Sequence, residues 1–269
     1  MSILLEHEES QKNGLWSYIS ASRLNLWGRC PLAFRFRYID GIKTPTNANL
    51  FLGQVVHAAL ESYYRHCQIG LTPVDEDVET FVDAAWQQLA EEEPMTWESP
   101  DEAAKCRHQA VDLVKAYAEE YRAQPEKIIA MEASLEAPFV HPTTGEDLGV
   151  PLFGVVDLVL ENANSVLLVD FKTSATAMLI EQSCSVQLTL YSLLMQGNGY
   201  DHVETEIRQL VKTKTPKIRA YRFGERTEGH VRQFFDLCRE YLRHLDHGVF
   251  NPRPCWSCNL CNYRGLCTM

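Results

Sequence analysis

The 269-residue chain has no apolar run approaching the roughly 18 uninterrupted residues that a membrane span needs. Its first residues, Met1 to Glu9, are acidic and lack the basic start and apolar centre of a signal peptide. The expectation is therefore a soluble, cytoplasmic protein with no membrane partner. The sequence contains no GxxxxGK[ST] phosphate loop, so a nucleotide-driven motor would have to be another chain. It has no internal repeat and no low-complexity tract. At 45% apolar and 23% charged residues it is neither disordered nor fibrous.

Positive charge is missing from one long stretch. Between Asp75 and Glu102 there is no Lys or Arg but eleven carboxylates, as many as the whole net charge of −11. The rest of the chain is thus balanced, and two segments are basic. Arg23, Arg29, Arg35, Arg37 and Lys43 alternate with Trp27, Phe34, Phe36 and Tyr38, and Arg208, Lys212, Lys214, Lys217, Arg219 and Arg222 follow one another without an acid. Basic residues interleaved with aromatic ones suit a polyanion with stackable bases, whereas the bland alternative is a solvated helix face and a solvated hairpin. Arg23, Arg35, Lys212 and Lys214 are the candidate DNA contacts.

The first half reads as helical: a helix over 23–38 capped by Ser20 or Ser22, a second over 52–67, an acidic pair broken around Pro94 and Pro100, and a long helix over 103–121. From Gln124 the pattern changes. Strands are expected at 128–140, 150–160 and 166–171, then a helix over 179–195, strands at 204–212 and 218–223, and a helix over 228–247. That order indicates an α/β fold with a mixed central sheet flanked by helices. Three segments follow: an N-terminal helical region (1–124), an α/β core (125–250) and a cysteine-rich tail (251–269).

Gly154-Val-Val-Asp157 and Leu168-Val-Asp170-Phe171-Lys172 carry the most information. Asp170 and Lys172 are two apart and share a strand face, and Asp157 can face them across the hairpin. Hard divalent cations such as Mg²⁺ take one or two carboxylates plus water and phosphate oxygens, and a lysine beside them can orient water or stabilise charge on a phosphate. A structural Asp–Lys172 ion pair would explain the same residues.

This arrangement resembles the PD-(D/E)XK nuclease superfamily, in which an Asp precedes an Asp-X-Lys strand. Gly53-Gln-Val-Val-His57 is similar to the Gly-X-X-X-His motif of its RecB-like branch, and Gln187-Leu-Thr-Leu-Tyr191 to the Gln-X-X-X-Tyr motif. Val156 stands where the superfamily's name has Pro. The resemblance implies a restriction-endonuclease-like core and hydrolysis of DNA phosphodiester bonds, by an exonuclease favouring single-stranded ends. It implies that His57, Asp157, Asp170 and the backbone carbonyl of Phe171 hold Mg²⁺ or Mn²⁺. Lys172 would activate the attacking water, and Gln187 and Tyr191 would brace the site or contact DNA. The partners implied are DNA and the proteins of a recombination, repair or CRISPR-adaptation complex. The alternative is a non-catalytic DNA-binding or scaffold subunit of such a complex.

Nine cysteines in a chain without export signals point to metal rather than disulfides, and four of them lie in the last fifteen residues. Cys258, Cys261 and Cys267 form C-x₂-C-x₅-C, three thiolates of a site that needs a fourth. Either Cys255 or Cys30 could supply it. The resemblance to iron–sulfur nucleases of this superfamily, the CRISPR-associated exonucleases and the AddB nuclease domain, favours Cys30 and a [4Fe–4S] cluster over a structural zinc. Cys67, Cys106, Cys184 and Cys238 read as ordinary buried thiols.

Overall fold

The computed structural model describes residues 14, 16–92, 95, 97–122, 127–141, 143–162, 164–177 and 181–267. The helix expected over 23–38 is two helices, α1 (Ala21–Arg29) and α2 (Pro31–Tyr38). Pro31 has no N–H to continue α1 and forces the residue before it out of the helical region, so Cys30 is extended (φ −161°, ψ 107°). Ser20 caps α1 by accepting from the Arg23 N–H.

Helix α3 (Ala48–Gln68) is capped by Asn47, whose side chain accepts from the Leu50 N–H at 3.0 Å. The acidic stretch makes one helix rather than two, α4 (Asp75–Glu92), and from Pro100 it opens α5 (Pro100–Tyr121); Pro94 lies outside the described residues. Helix α5 and its C-cap residue Arg122 answer part of that acidity: Arg107 pairs with Asp83, Lys115 with Glu79 and Arg122 with Asp75.

The sheet is mixed, in the order β1 (Ile128–Ala137), β2 (Leu152–Asn162), β3 (Ser165–Ser174), β4 (Val203–Val211) and β5 (Lys217–Glu225). All neighbours are antiparallel except β3 and β4, which are parallel and joined by α6 (Glu181–Gly197), as a parallel connection requires. Helix α7 (Glu228–Asp246) follows β5.

Two apolar cores sandwich the sheet. On one face Val55, Leu113 and Tyr117 from α3 and α5 meet Leu158, Val169 and Phe171. On the other, Trp27, Phe34, Leu190, Phe235 and Tyr241 from α1, α2, α6 and α7 meet Val156 and Leu168. The chain ahead of α1 joins the sheet: Ile19 donates to Pro151 and accepts from Phe153, both at 2.8 Å. The tail returns to the same end. Tyr263 packs its ring 5.6 Å from Phe36 and donates to the Ile42 carbonyl at 3.2 Å, and Asn262 donates to Thr44.

Candidate metal centre and active site

The ladder between β2 and β3 ends at Leu158 and Val169, so Asp157 and Asp170 face each other just where the strands part. There the Asp157 carboxylate takes over the role of a ladder carbonyl, its Oδ2 accepting the Phe171 N–H at 2.7 Å. Two glycines let the surrounding helices come close. A Cβ on Gly53 would sit 3.2 Å from Thr173 Oγ1, and one on Gly154 would lie 2.9 Å from the Tyr191 ring and 3.0 Å from Leu194. The first brings His57 on α3 to the strands, and the second brings Gln187 and Tyr191 on α6.

His57 Nδ1 lies 3.6 Å from Asp157 Oδ2. Asp170, 1% exposed, receives Gln187 Nε2 on Oδ1 at 2.8 Å and the Lys172 ammonium on Oδ2 at 2.7 Å. Gln187 also donates to the Tyr191 hydroxyl at 2.9 Å. His57, Asp157, Asp170, Lys172, Gln187 and Tyr191 thus form one contiguous constellation. Phe171 lines the groove, its N–H held by Asp157 and its ring edge-on to His57 at 6.0 Å.

One site residue was not legible in the sequence. Glu132 on β1 stands between Met131, paired with Leu158, and Ala133, paired with Val156, and so opposite Asp157. Ligand atoms of His57, Glu132 and Asp157 all lie within 4.8 Å of one another, close enough to share one cation. Glu132 has φ +44°, a left-handed backbone that costs a non-glycine residue about 1–2 kcal/mol. In sequence it is one of two acids, with Glu136, in the strand, and nothing there sets it apart. These groups line an open groove of about 570 Å³, with Gln54, Asn49 and Lys172 on its walls. The Gln54 Oε1 is buried there without a hydrogen-bond partner.

The electrostatics suit a cation. Burial raises the Glu132 carboxyl, with the Asp157 charge adding to it, to about 7. Burial likewise pushes Asp170 above the usual carboxylate range, against the pull of Lys172. Asp157 is held low despite its burial, because His57 and the Phe171 N–H stabilise its charge. Burial would lower His57, but the hydrogen bond and charge of Asp157 outweigh it and hold the imidazole high. Lys172 is also held above its ordinary value, by Asp170 against burial. Crowded carboxylates that cannot all ionise alone are what a divalent cation relieves.

The four candidate DNA contacts are dispersed. Arg23 is buried, its guanidinium 3.8 Å from the Tyr18 ring centroid and bonded to the Tyr18 carbonyl. Arg35 is exposed and pairs with Asp40. Lys212 donates to Asn49 Oδ1 at 2.6 Å, beside the groove, and Lys214 is exposed. Arg208, from the same basic stretch, is not at the surface. It is 2% exposed, bound to Glu206 at 2.8 Å and to the hydroxyls of Tyr64 and Tyr117.

Cys30, Cys255, Cys258, Cys261 and Cys267 line a single cavity of about 490 Å³. Cys255 is exposed and the other four are half-buried. Elsewhere Cys106, Cys184 and Cys238 are buried as expected, and Cys67 is half-buried.

A family profile for the PD-(D/E)XK nuclease superfamily matches residues 18–268, and the chain belongs to that superfamily. No curated protein sequence matches it. Its fold is similar to the crystal structure of a putative exonuclease from Eubacterium rectale, at TM-score 0.57 and 13% identity over 97% of this chain and 93% of that one. The crystal structure named SSO0001 aligns at TM-score 0.39 and 12% identity, covering 92% of this chain and 96% of that one, too loosely to bear on the fold.

Proposed function

We propose that this nuclease is a Mg²⁺- or Mn²⁺-dependent deoxyribonuclease that trims single-stranded DNA ends in recombination, repair or CRISPR adaptation. The observation that carries the reading is the convergence of His57, Glu132 and Asp157 within ligand distance, beside an Asp170–Lys172 pair on the adjoining strand. His57, Asp157, Asp170 and the Phe171 backbone carbonyl, with Glu132 added, would hold the cation, and this oxygen-rich, crowded donor set fits one. When bound, such an ion polarises a phosphate and lowers the pKa of its water.

The chain's own residues do the rest. Asp170 keeps Lys172 protonated, so the ammonium orients the attacking water and balances the charge growing on the phosphate rather than taking a proton. Gln187 fixes the Asp170 carboxylate through Oδ1 and is itself steadied by Tyr191. The exonuclease mode draws on the name of the Eubacterium rectale protein.

Cys30, Cys258, Cys261 and Cys267 would hold a [4Fe–4S] cluster. All four are half-buried around one cavity, which fits a cluster, whereas Cys255, on the same cavity, is exposed beside Ser257. The cluster would pin the tail to the α1–α2 corner.

The test is cleavage of linear and circular single-stranded DNA by anaerobically purified protein, with Mg²⁺, Mn²⁺ or EDTA and a Lys172→Ala control. Degradation of the linear strand alone, dependent on metal and on Lys172, is expected. Cutting of circles would replace the exonuclease mode by an endonuclease. No cleavage under any condition would leave the non-catalytic subunit.

A further inference from the structure

The rim of the cysteine cavity is the opposite of the chain as a whole. Four arginines line it, Arg29, Arg37, Arg253 and Arg264, all exposed, and among the described residues that line it there is no Asp or Glu. This is a concentrated positive patch in a chain of net charge −11. On the same rim the first short 3₁₀ turn of the tail (Trp256–Leu260) leaves Trp256 84% and Leu260 80% exposed. No other large apolar side chain among the described residues is as exposed as either. An unburied indole on a rim that carries four arginines has no folding rationale, since it gives up the burial that a tryptophan ordinarily gains.

The patch also leads somewhere. Thr44 and Asn47 line the cysteine cavity, while Asn49 and Leu50 line the groove of the metal centre, so the two depressions flank the start of α3. From Asn49 to His57 the helix rises about 12 Å, at 1.5 Å per residue, a stride of a few nucleotides. Lys212 stands at the junction, bonded to Asn49. A strand lying on the rim would therefore pass Asn49 and Lys212 at the start of α3 before it entered the groove of the metal centre.

We infer that the exposed Trp256, with Leu260 and the four rim arginines, is a stacking platform for single-stranded DNA that feeds the strand over the start of α3 into the metal centre. The inference rests on the nuclease reading for the strand's destination but not for the platform itself. Aromatic stacking on bases with arginines on the phosphates is the usual physics of single-strand binding, and it needs no sequence preference.

The experiment measures binding of a fluorescein-labelled oligothymidylate to the full-length, anaerobically purified chain in EDTA, where nothing is cleaved. Trp256→Ala should weaken binding about 5- to 150-fold, the loss of one stacked base, and Trp256→Phe should restore most of it. Turnover of thymidine 5′-(p-nitrophenyl) phosphate, too small to span the two depressions, should stay unchanged in both. In the wild-type chain, an oligonucleotide carrying 5-iododeoxyuridine should photocross-link to Trp256, a readout that no folding defect can confound. Unchanged affinity in Trp256→Ala, or cross-links confined to the β4–β5 turn around Lys214, would overturn the platform. A blunt duplex competing as well as the single strand would overturn it too. If the wild type cross-links through Trp256 yet hydrolyses neither DNA nor the small diester, the nuclease reading fails and the platform stands.

Discussion

The Phe171 N–H and the Asp157 carboxylate are 2.7 Å apart, a side-chain acceptor placed where a strand carbonyl would otherwise be. That single bond joins the two halves of the site. The β2–β3 ladder ends beside it at Leu158 and Val169, where Asp157 and Asp170 face each other, while Glu132 stands opposite Asp157 on β1. The bond also leaves Asp157 Oδ2 close to His57 on a different element. Asp157→Asn keeps the shape but can turn an NH₂ group toward the Phe171 N–H, so Mn²⁺ affinity by calorimetry should fall at least about tenfold, the scale seen when groups that orient ligands are lost.

Lys172 separates charge stabilisation from metal binding. Lys172→Ala removes the ammonium from Asp170 without removing a cation ligand, so Mn²⁺ binding should survive while kcat falls about 10²–10³-fold, the range for losing one preorganised charge. A variant that loses metal binding to the same degree would make Lys172 a partner of the Asp170 fold rather than of the reaction.

Glu132 gives the site a pH dependence of definite sign. Its carboxyl, raised to about 7, holds its proton below that value and competes with the cation; above it the charge is free. Mn²⁺ affinity should therefore climb as pH rises through 7 and level off beyond it. In Glu132→Gln that climb should flatten and affinity at pH 8 should drop. Titrations in pH steps, read calorimetrically, check both. An unaltered climb in Glu132→Gln would place the titration on Asp170 instead.

What the sequence made legible was local. Asp170 and Lys172 at i,i+2 on a strand and Gln187 and Tyr191 at i,i+4 on a helix are fixed by backbone period alone, and both pairs meet as their spacing requires. Glu132 was hidden because its role depends on the register of β1 against β2 and on one left-handed residue, which no periodicity encodes. The arginines show the same limit from the other side. Arg23 and Arg208 look like surface charge in a basic stretch, but Tyr18 and Tyr38 enclose one, and Glu206, Tyr64 and Tyr117 the other. The split of the first helix at Cys30 was signalled by Pro31, whose local rule outweighs a continuous apolar stripe.

Gly154 carries a packing argument that stability measurements can settle. A methyl group there would meet the Tyr191 ring, Leu194 and Leu190, at 2.9, 3.0 and 3.1 Å. Gly154→Ala must push α6 off β2, so it should cost about 1–3 kcal/mol, the scale of overpacking, and displace Gln187 from Asp170. Urea unfolding gives the first number. Partial recovery in Gly154→Ala with Leu194→Ala would confirm that the loss is steric.

The buried pair of Arg208 and Glu206 predicts a strongly non-additive cycle. Arg208 spends its charge on Glu206 at 2.8 Å, on the Tyr64 and Tyr117 hydroxyls at 3.0 and 2.8 Å, and over the Tyr121 ring at 4.0 Å. Both partners are nearly inaccessible, at 2% and 9% side-chain exposure, so neither can recover its lost hydration when the other is removed. Arg208→Met should therefore destabilise the chain by about 3–5 kcal/mol, because Glu206 is left as an uncompensated buried charge. Arg208→Met with Glu206→Leu should recover most of that loss, since two apolar side chains of similar volume need no partner. The Tyr64 ring lies 6.3 Å from that of Phe171, the residue whose N–H holds Asp157. Activity should consequently return with stability in the double variant only if Tyr64 keeps its place. Full stability with lost metal binding would show that Arg208 positions the site through Tyr64 and Phe171, beyond its part in the fold.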